Sequence, residues 1–200
     1  PLRPRSRRKA APGAFCLHSM TQTLLYWLLP AVLLFWALGA HNRLVRLRAQ
    51  VIAAFVAVDN RLAQSLVLVT ERVALGGGAH ADASTETAPD ASGLDGLRGA
   101  AIQLEVALRV VRRHPLDAPS VAALRTARAT LQTLWEQLQS ANPSTPELAR
   151  NQRAWEDHQQ VSGEAVSVFN QSVNGYNHAI TQFPAVVLAY FFGYRAAEVL

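Results

Sequence analysis

Two hundred residues at 50 % hydrophobic and 16 % charged suit one or two globular domains, yet the net charge of +5 sits wholly in Arg3, Arg5, Arg7, Arg8 and Lys9, leaving 14 arginines against 14 acids beyond position 40. A neutral body with one basic end lacks the broad positive face that phosphate-backbone recognition needs, so nucleic acid is excluded as an expected partner and a membrane is favoured. The single cysteine, Cys16, excludes an intramolecular disulfide, and the single lysine, Lys9, leaves the body without an amine for Schiff-base chemistry or a phosphate-cradling loop.

The chain opens with a basic tail, residues 1–19, ahead of its only methionine, Met20. The native start is open between the two. Residues 10–42 carry no charged side chain, and Leu24 to Ala40 read LLYWLLPAVLLFWALGA. Seventeen apolar residues rise about 25 Å as a helix, and Met20–Thr23 add the turn that brings this close to a ~30 Å hydrocarbon core, so residues 20–40 are expected to cross a lipid bilayer. Tyr26, Trp27 and Trp36 suit the two interfaces. The rival readings are a buried core helix and a cleaved signal peptide, the latter because Ala37-Leu38-Gly39-Ala40 resembles a small-residue cleavage site. With the basic tail present, the positive-inside rule puts the body outside the cytoplasm; a start at Met20 leaves Arg43, Arg46 and Arg48 to hold it inside.

From Leu44, apolar residues recur every three or four positions through Leu47, Val51, Phe55, Val58, Leu62, Leu66, Val69 and Val73, the stripe of a helix continuous with the apolar run. Gly76-Gly77-Gly78 is expected to end it, and residues 76–93, rich in Gly, Ala, Ser, Thr and Asp, to form a flexible loop. A second stripe runs through Leu97, Ala101, Leu104, Leu108 and Val111 to a break at His114-Pro115. A third takes Leu124, Ala127, Leu131, Leu134 and Leu138, starting at Pro119-Ser120 and ending at Asn142-Pro143. The fourth opens at Thr145-Pro146-Glu147, where Thr caps and Pro fits the first turn. Its stripe is aromatic: Trp155, Phe169, Val173, Tyr176, Ile180, Phe183, Val187 and Tyr194, with Gly163, Gly175 and Pro184 expected to weaken or kink the helix. The segment Val186–Phe192, VVLAYFF, is too short to span a bilayer; the bundle core is its expected place, with peripheral membrane contact the lesser reading. The fold class expected is all-α: an N-terminal transmembrane helix, then residues 41–200 as a long-helix, mostly antiparallel four-helix bundle with coiled-coil-like packing.

Two blocks resemble the LemA family of bacterial proteins. His41-Asn42-Arg43-Leu44-Val45-Arg46-Leu47-Arg48, with Val51, Ala54-Phe55 and Val58-Asp59, is similar to that family's YN-x-LV-x-LR run. Phe169-Asn170-x-x-Val173-x-x-Tyr176-Asn177-x-x-Ile180-x-x-Phe183-Pro184, then Ala189 and Gly193-Tyr194, is similar to its closing block. Here His41, Phe55 and Phe169 stand at aromatic positions of another type, and Gln64–Val73 departs from the family's basic stretch. The resemblance implies a single-pass protein of the bacterial inner membrane, bearing a helical bundle whose biochemical role is not established.

Catalytic motifs are absent from the sequence. The six histidines include no pair at i,i+3 or i,i+4, there is no HExxH or Glu-x-x-His, and no nucleophile elbow introduces a Ser-His-Asp set. No enzyme activity, metal or cofactor is expected. His158, three residues after Trp155, reads as a structural or solvent-facing histidine, and Glu156-Asp157 as a solvated pair. The suggestive constellation is Asn170, Asn174 and Asn177 beside Phe169, Val173 and Tyr176, amides along the edge of an aromatic stripe. These amides either fix helix register or line a polar groove that receives a partner segment. Asp59 is a plausible acceptor for them, with Asn42 one long helix away, and Phe183 closes the set. The expected mechanism is scaffolding, and the alternative is an envelope sensor or adaptor that recognises a peptide or protein through the Asn/Tyr edge. The same heptads can pair between chains, which leaves a homo-oligomer open.

Overall fold

The computed structural model describes residues 13–81, 89–140 and 145–200. They form five helices, α1 (Gly13–Ala81), α2 (Pro89–Arg113), α3 (Ala118–Ser140), α4 (Pro146–Thr181) and α5 (Ala185–Phe192), with no strand among the described residues. Asn142 and Pro143, the expected end of the third helix, lie outside them.

At 69 residues, α1 runs roughly 100 Å without a break. Its composition divides it into two physical regimes. From Tyr26 to Leu38 the large apolar side chains are exposed, Pro30 included in the helix, and one stretch of α1 is long and apolar enough to cross a membrane. From Leu44 onward the same helix turns one face inward: Leu44, Val51 and Val58 are buried seven residues apart, as are Phe55, Leu62 and Val69. That strict heptad keeps a seam facing its partners along the whole body, the condition for coiled-coil-like packing.

The other helices cover this seam in alternating directions. α4 runs antiparallel to α1, since Asn151 meets Leu68, His158 meets Ser65, and Phe169 meets Phe55 with ring centroids 6.0 Å apart. α2 lies antiparallel on another side, with Arg112 bonded to Asp59 and Leu94 against Gly76. α3 folds back on α2 and reaches α4 through Trp135, which stacks on Trp155 at 4.1 Å and 16° between planes. The result is a helical bundle around one core, in which Trp135, Tyr176 and Phe169 are the largest fully buried side chains.

Helix ends follow local chemistry. Thr145 caps α4 by accepting from the Leu148 N–H, with Pro146 at the first helical position as its missing N–H permits. α3 is capped by Asp117, whose carboxylate accepts from the backbone N–H and hydroxyl of Ser120. α5 stops at Gly193, whose φ of 68° suits a residue without Cβ, and the Tyr194 N–H closes the end on the Ala189 carbonyl at 2.9 Å.

Several expectations require correction. Gly76-Gly77-Gly78 does not end the first helix, which continues to Ala81, and α2 begins at Pro89, so 76–81 and 89–93 of the expected loop are helical and 82–88 lie outside the described residues. The cause is packing: a Cβ on Gly76 would sit 2.7 Å from Leu94 Cδ1, so glycine there lets α2 approach α1 closely instead of breaking it. α4 runs through Gly163 and Gly175 as one helix. Val186–Phe192 does not enter the bundle core: Ala185 and Ala189 alone are buried in α5, while Val186, Val187, Tyr190, Phe191 and Phe192 are exposed. After α4 the chain turns back along α1, from Phe183 beside Trp36 to Phe192 beside His41, so Phe183 and Val187 leave the aromatic stripe that continues as far as Ile180.

Candidate functional site

The residues singled out by sequence converge in part at one end of the bundle, where α4 returns beside the apolar stretch of α1. Just past the end of α4 the chain reaches this level at Phe183, tilted against Trp36 with centroids 5.2 Å apart. After the reversal, α5 brings Phe192 beside His41, again at 5.2 Å. Residues Gly193–Leu200 then run back along α4, and here the Asn/Tyr edge finds its partners.

Asn177 uses both ends of its amide on Ala197, donating to the carbonyl at 2.8 Å and accepting from the N–H at 2.9 Å. Asn170 does the same to Leu200, with both bonds at 2.8 Å. A primary amide has the donor and acceptor that a backbone position presents, so two asparagines seven residues apart hold an extended segment against a helix as a neighbouring strand would. Tyr176 is buried, and its hydroxyl donates to the Arg195 carbonyl at 3.1 Å; burial pushes this phenol above its ordinary value of 10.0, against an opposing pull from Arg48. Arg125 on α3 closes the strap through Glu198 at 2.8 Å.

The remaining candidates stand apart. Asn174 and Asn42 are exposed. Asp59 does not serve the asparagines but accepts from Arg112 Nε at 2.7 Å, because antiparallel α2 presents its basic last turn at that level of α1. Phe183 is 76 % exposed.

A second polar group lies in the far half of the seam. Ser65, Arg72, Asn151, His158 and Ser162 are buried there among apolar neighbours. His158 Nε2 and Ser65 Oγ are 2.8 Å apart, and Ser65 also donates to the Arg61 carbonyl at 3.3 Å. Burial, reinforced by the Arg61 cation, holds His158 below its ordinary value of 6.5 despite an opposing hydrogen bond to the Arg61 backbone, which favours the neutral imidazole. Asn151 donates to the Leu68 carbonyl and to Glu71, and the Arg72 guanidinium sits 6.0 Å from the Trp135 ring centroid. A buried serine beside a neutral histidine has the composition of a nucleophile and its base; here Ser65 is 4 % exposed. The pair ties α1 to α4.

Heptad counting on α1 could have found Ser65 and Arg72, since 44, 51, 58, 65 and 72 form one series; reading only apolar letters substitutes Leu66 and Val73, which are partly buried neighbours. The same habit selects Leu134 in place of Trp135. Among the described residues no group of three or more His, Cys, Asp or Glu is placed to hold a metal ion. Compared with protein families, curated proteins and solved structures, the chain matches none.

Proposed function

We propose that this chain is a single-pass, LemA-like protein of the bacterial inner membrane, anchored by residues 20–40, whose four long helices form a non-enzymatic scaffold held at a fixed distance from the bilayer. One observation carries the reading: a single uninterrupted helix bears both the uncharged, outward-facing apolar stretch and the buried heptad seam of the body. A hinge-free connection transmits position, which a scaffold needs. The two blocks that resemble the LemA family lie on α1 and on α4 to Tyr194, the elements that meet where the body leaves the apolar stretch.

The test is extraction of native membranes containing the full chain with alkaline carbonate, followed by protease treatment of intact spheroplasts bearing a C-terminal epitope. Retention in the pellet supports the anchor, and release into the supernatant overturns it. Digestion of the epitope places the body outside the cytoplasm; protection places it inside. Turnover of a metabolite by the purified chain, lost in a point variant, would overturn the non-enzymatic part.

The adaptor reading assigns partner recognition to the Asn/Tyr edge. Asn170, Tyr176 and Asn177 are already bonded to residues 195–200, so a partner segment would act by displacing that strap. Partner capture that Asn177→Ala abolishes while hydrogen exchange in α1 and α2 stays unchanged supports this alternative.

A further inference from the structure

α5 is apolar on every side, yet it buries only two alanines. Ala185 and Ala189, one turn apart, face the bundle, while Tyr190 and Phe191 are 85 % and 77 % exposed. A helix that is hydrophobic all round belongs in a core or in lipid. Nothing of the described body covers these rings, and their location along α1 says what does.

The level of α5 is fixed by contacts at both of its ends. Phe183 packs on Trp36, and Phe192 packs on His41. Trp36 lies four residues before Ala40, where the apolar run ends, so α5 occupies about the last 6 Å of that run and the first residue beyond it. In a bilayer with a ~30 Å hydrocarbon core and ~40–45 Å in total, this band is the interface, where aromatic side chains are enriched. The charges fit the same level. Arg43 and Phe183 line one groove of about 380 Å³, and exposed Arg46 and Arg195 lie five and three residues beyond the His41–Phe192 contact, on the body side of the aromatic surface, where cations meet headgroups.

We infer that α5, with Phe183, is a second membrane contact: a short helix lying in the interface of the bilayer that α1 crosses, with Tyr190, Phe191 and Phe192 among the acyl chains and headgroups. Its occupant is the lipid surface itself. The inference rests on the anchor proposed above and deepens it, because a helix fastened only along its axis can tilt and spin, whereas a second contact beside the axis sets the orientation of the body.

The experiment uses the full chain in a Cys16→Ser background, reconstituted into phosphatidylcholine vesicles with brominated acyl chains. A bimane probe is attached through Phe191→Cys, and separately through Leu33→Cys in the apolar run and Gln132→Cys on the exposed face of α3. Tyr190→Cys serves as an independent second site on α5. The expected result is that probes at 33, 190 and 191 lose most of their emission to lipid bromine and resist aqueous iodide, while the probe at 132 does the reverse. If 33 is quenched by bromine but 190 and 191 behave like 132, the interfacial helix is overturned and the anchor stands. If 33 also behaves like 132, both are overturned.

Discussion

The side-chain amide of Asn177 pairs with Ala197 through two hydrogen bonds, one in each direction, across twenty residues of chain. This geometry makes the asparagine a substitute strand. It joins the end of the described chain to α4 at a point that Tyr176 and Asn170 reinforce on either side.

Removing the amide exposes that dependence. Asn177→Ala leaves the Ala197 N–H and carbonyl without their partner, at a cost of about 1–3 kcal/mol. Hydrogen exchange at residues 195–200 should accelerate strongly while exchange in α1 and α2 stays unchanged. Equal protection of the segment in variant and wild type would contradict the pairing.

The Trp135–Trp155 stack is the only ring contact between α3 and α4 among the described residues, and Trp135 is 1 % exposed. Trp135→Ala removes a large buried ring and leaves a cavity beside Arg72, for an expected loss of about 3–5 kcal/mol. Chemical denaturation of the full chain in detergent measures it, and a loss below about 1 kcal/mol would show that the far half of the seam does not depend on the stack.

His158 gives the fold a pH dependence whose sign follows from burial. Its folded value is depressed below 6.5, so the unfolded chain binds a proton here that the folded one resists. The stabilising contribution is complete above pH 6.5 and is lost as pH falls from there through the folded value. The melting temperature should therefore drop on acidification across this window, and His158→Gln, which can keep a hydrogen bond to Ser65 without titrating, should flatten the drop. An unchanged profile in that variant would place the pH dependence elsewhere.

The Asp59–Arg112 ion pair is short but half in solvent, with the Arg112 side chain 49 % exposed. Its contribution belongs to the range of about 0–1 kcal/mol typical of such pairs. Asp59→Asn should shift the denaturation midpoint slightly, and the shift should shrink in high salt. A salt-independent loss of several kcal/mol would mean that Asp59 has a structural role beyond this pair.

What the sequence made legible was the period. The seam from Leu44 to Val69, the stripes of α2 and α3, and the Thr145-Pro146 start of α4 can all be read from spacing and cap chemistry, because those signals are local. The polar members of the seam were hidden for a physical reason: Ser65, Arg72 and Asn151 each take a partner from another helix, a hydrogen bond or an aromatic face, and such partners are remote in sequence. Asn170 and Asn177 were visible as an edge, but their partners, Ala197 and Leu200, carry no side-chain signal at all, since it is their backbone that bonds. VVLAYFF misled in the opposite sense. Apolar residues meant for protein and apolar residues left facing outward have the same letters, and only the reversal at Pro184 separates them.

The continuity of α1 gives residue number the meaning of an angle. Each residue of an α-helix turns the chain by 100° and lifts it by 1.5 Å. With no joint between Ala40 and Leu44, one residue inserted there would rotate the entire body by over a quarter-turn about the apolar stretch, carrying Phe183 away from Trp36 and α5 to the other flank of the shaft. A seven-residue insertion would nearly restore the azimuth while raising the body by about 10 Å. The count of residues between the two halves of this helix is thus a compass bearing as well as a length.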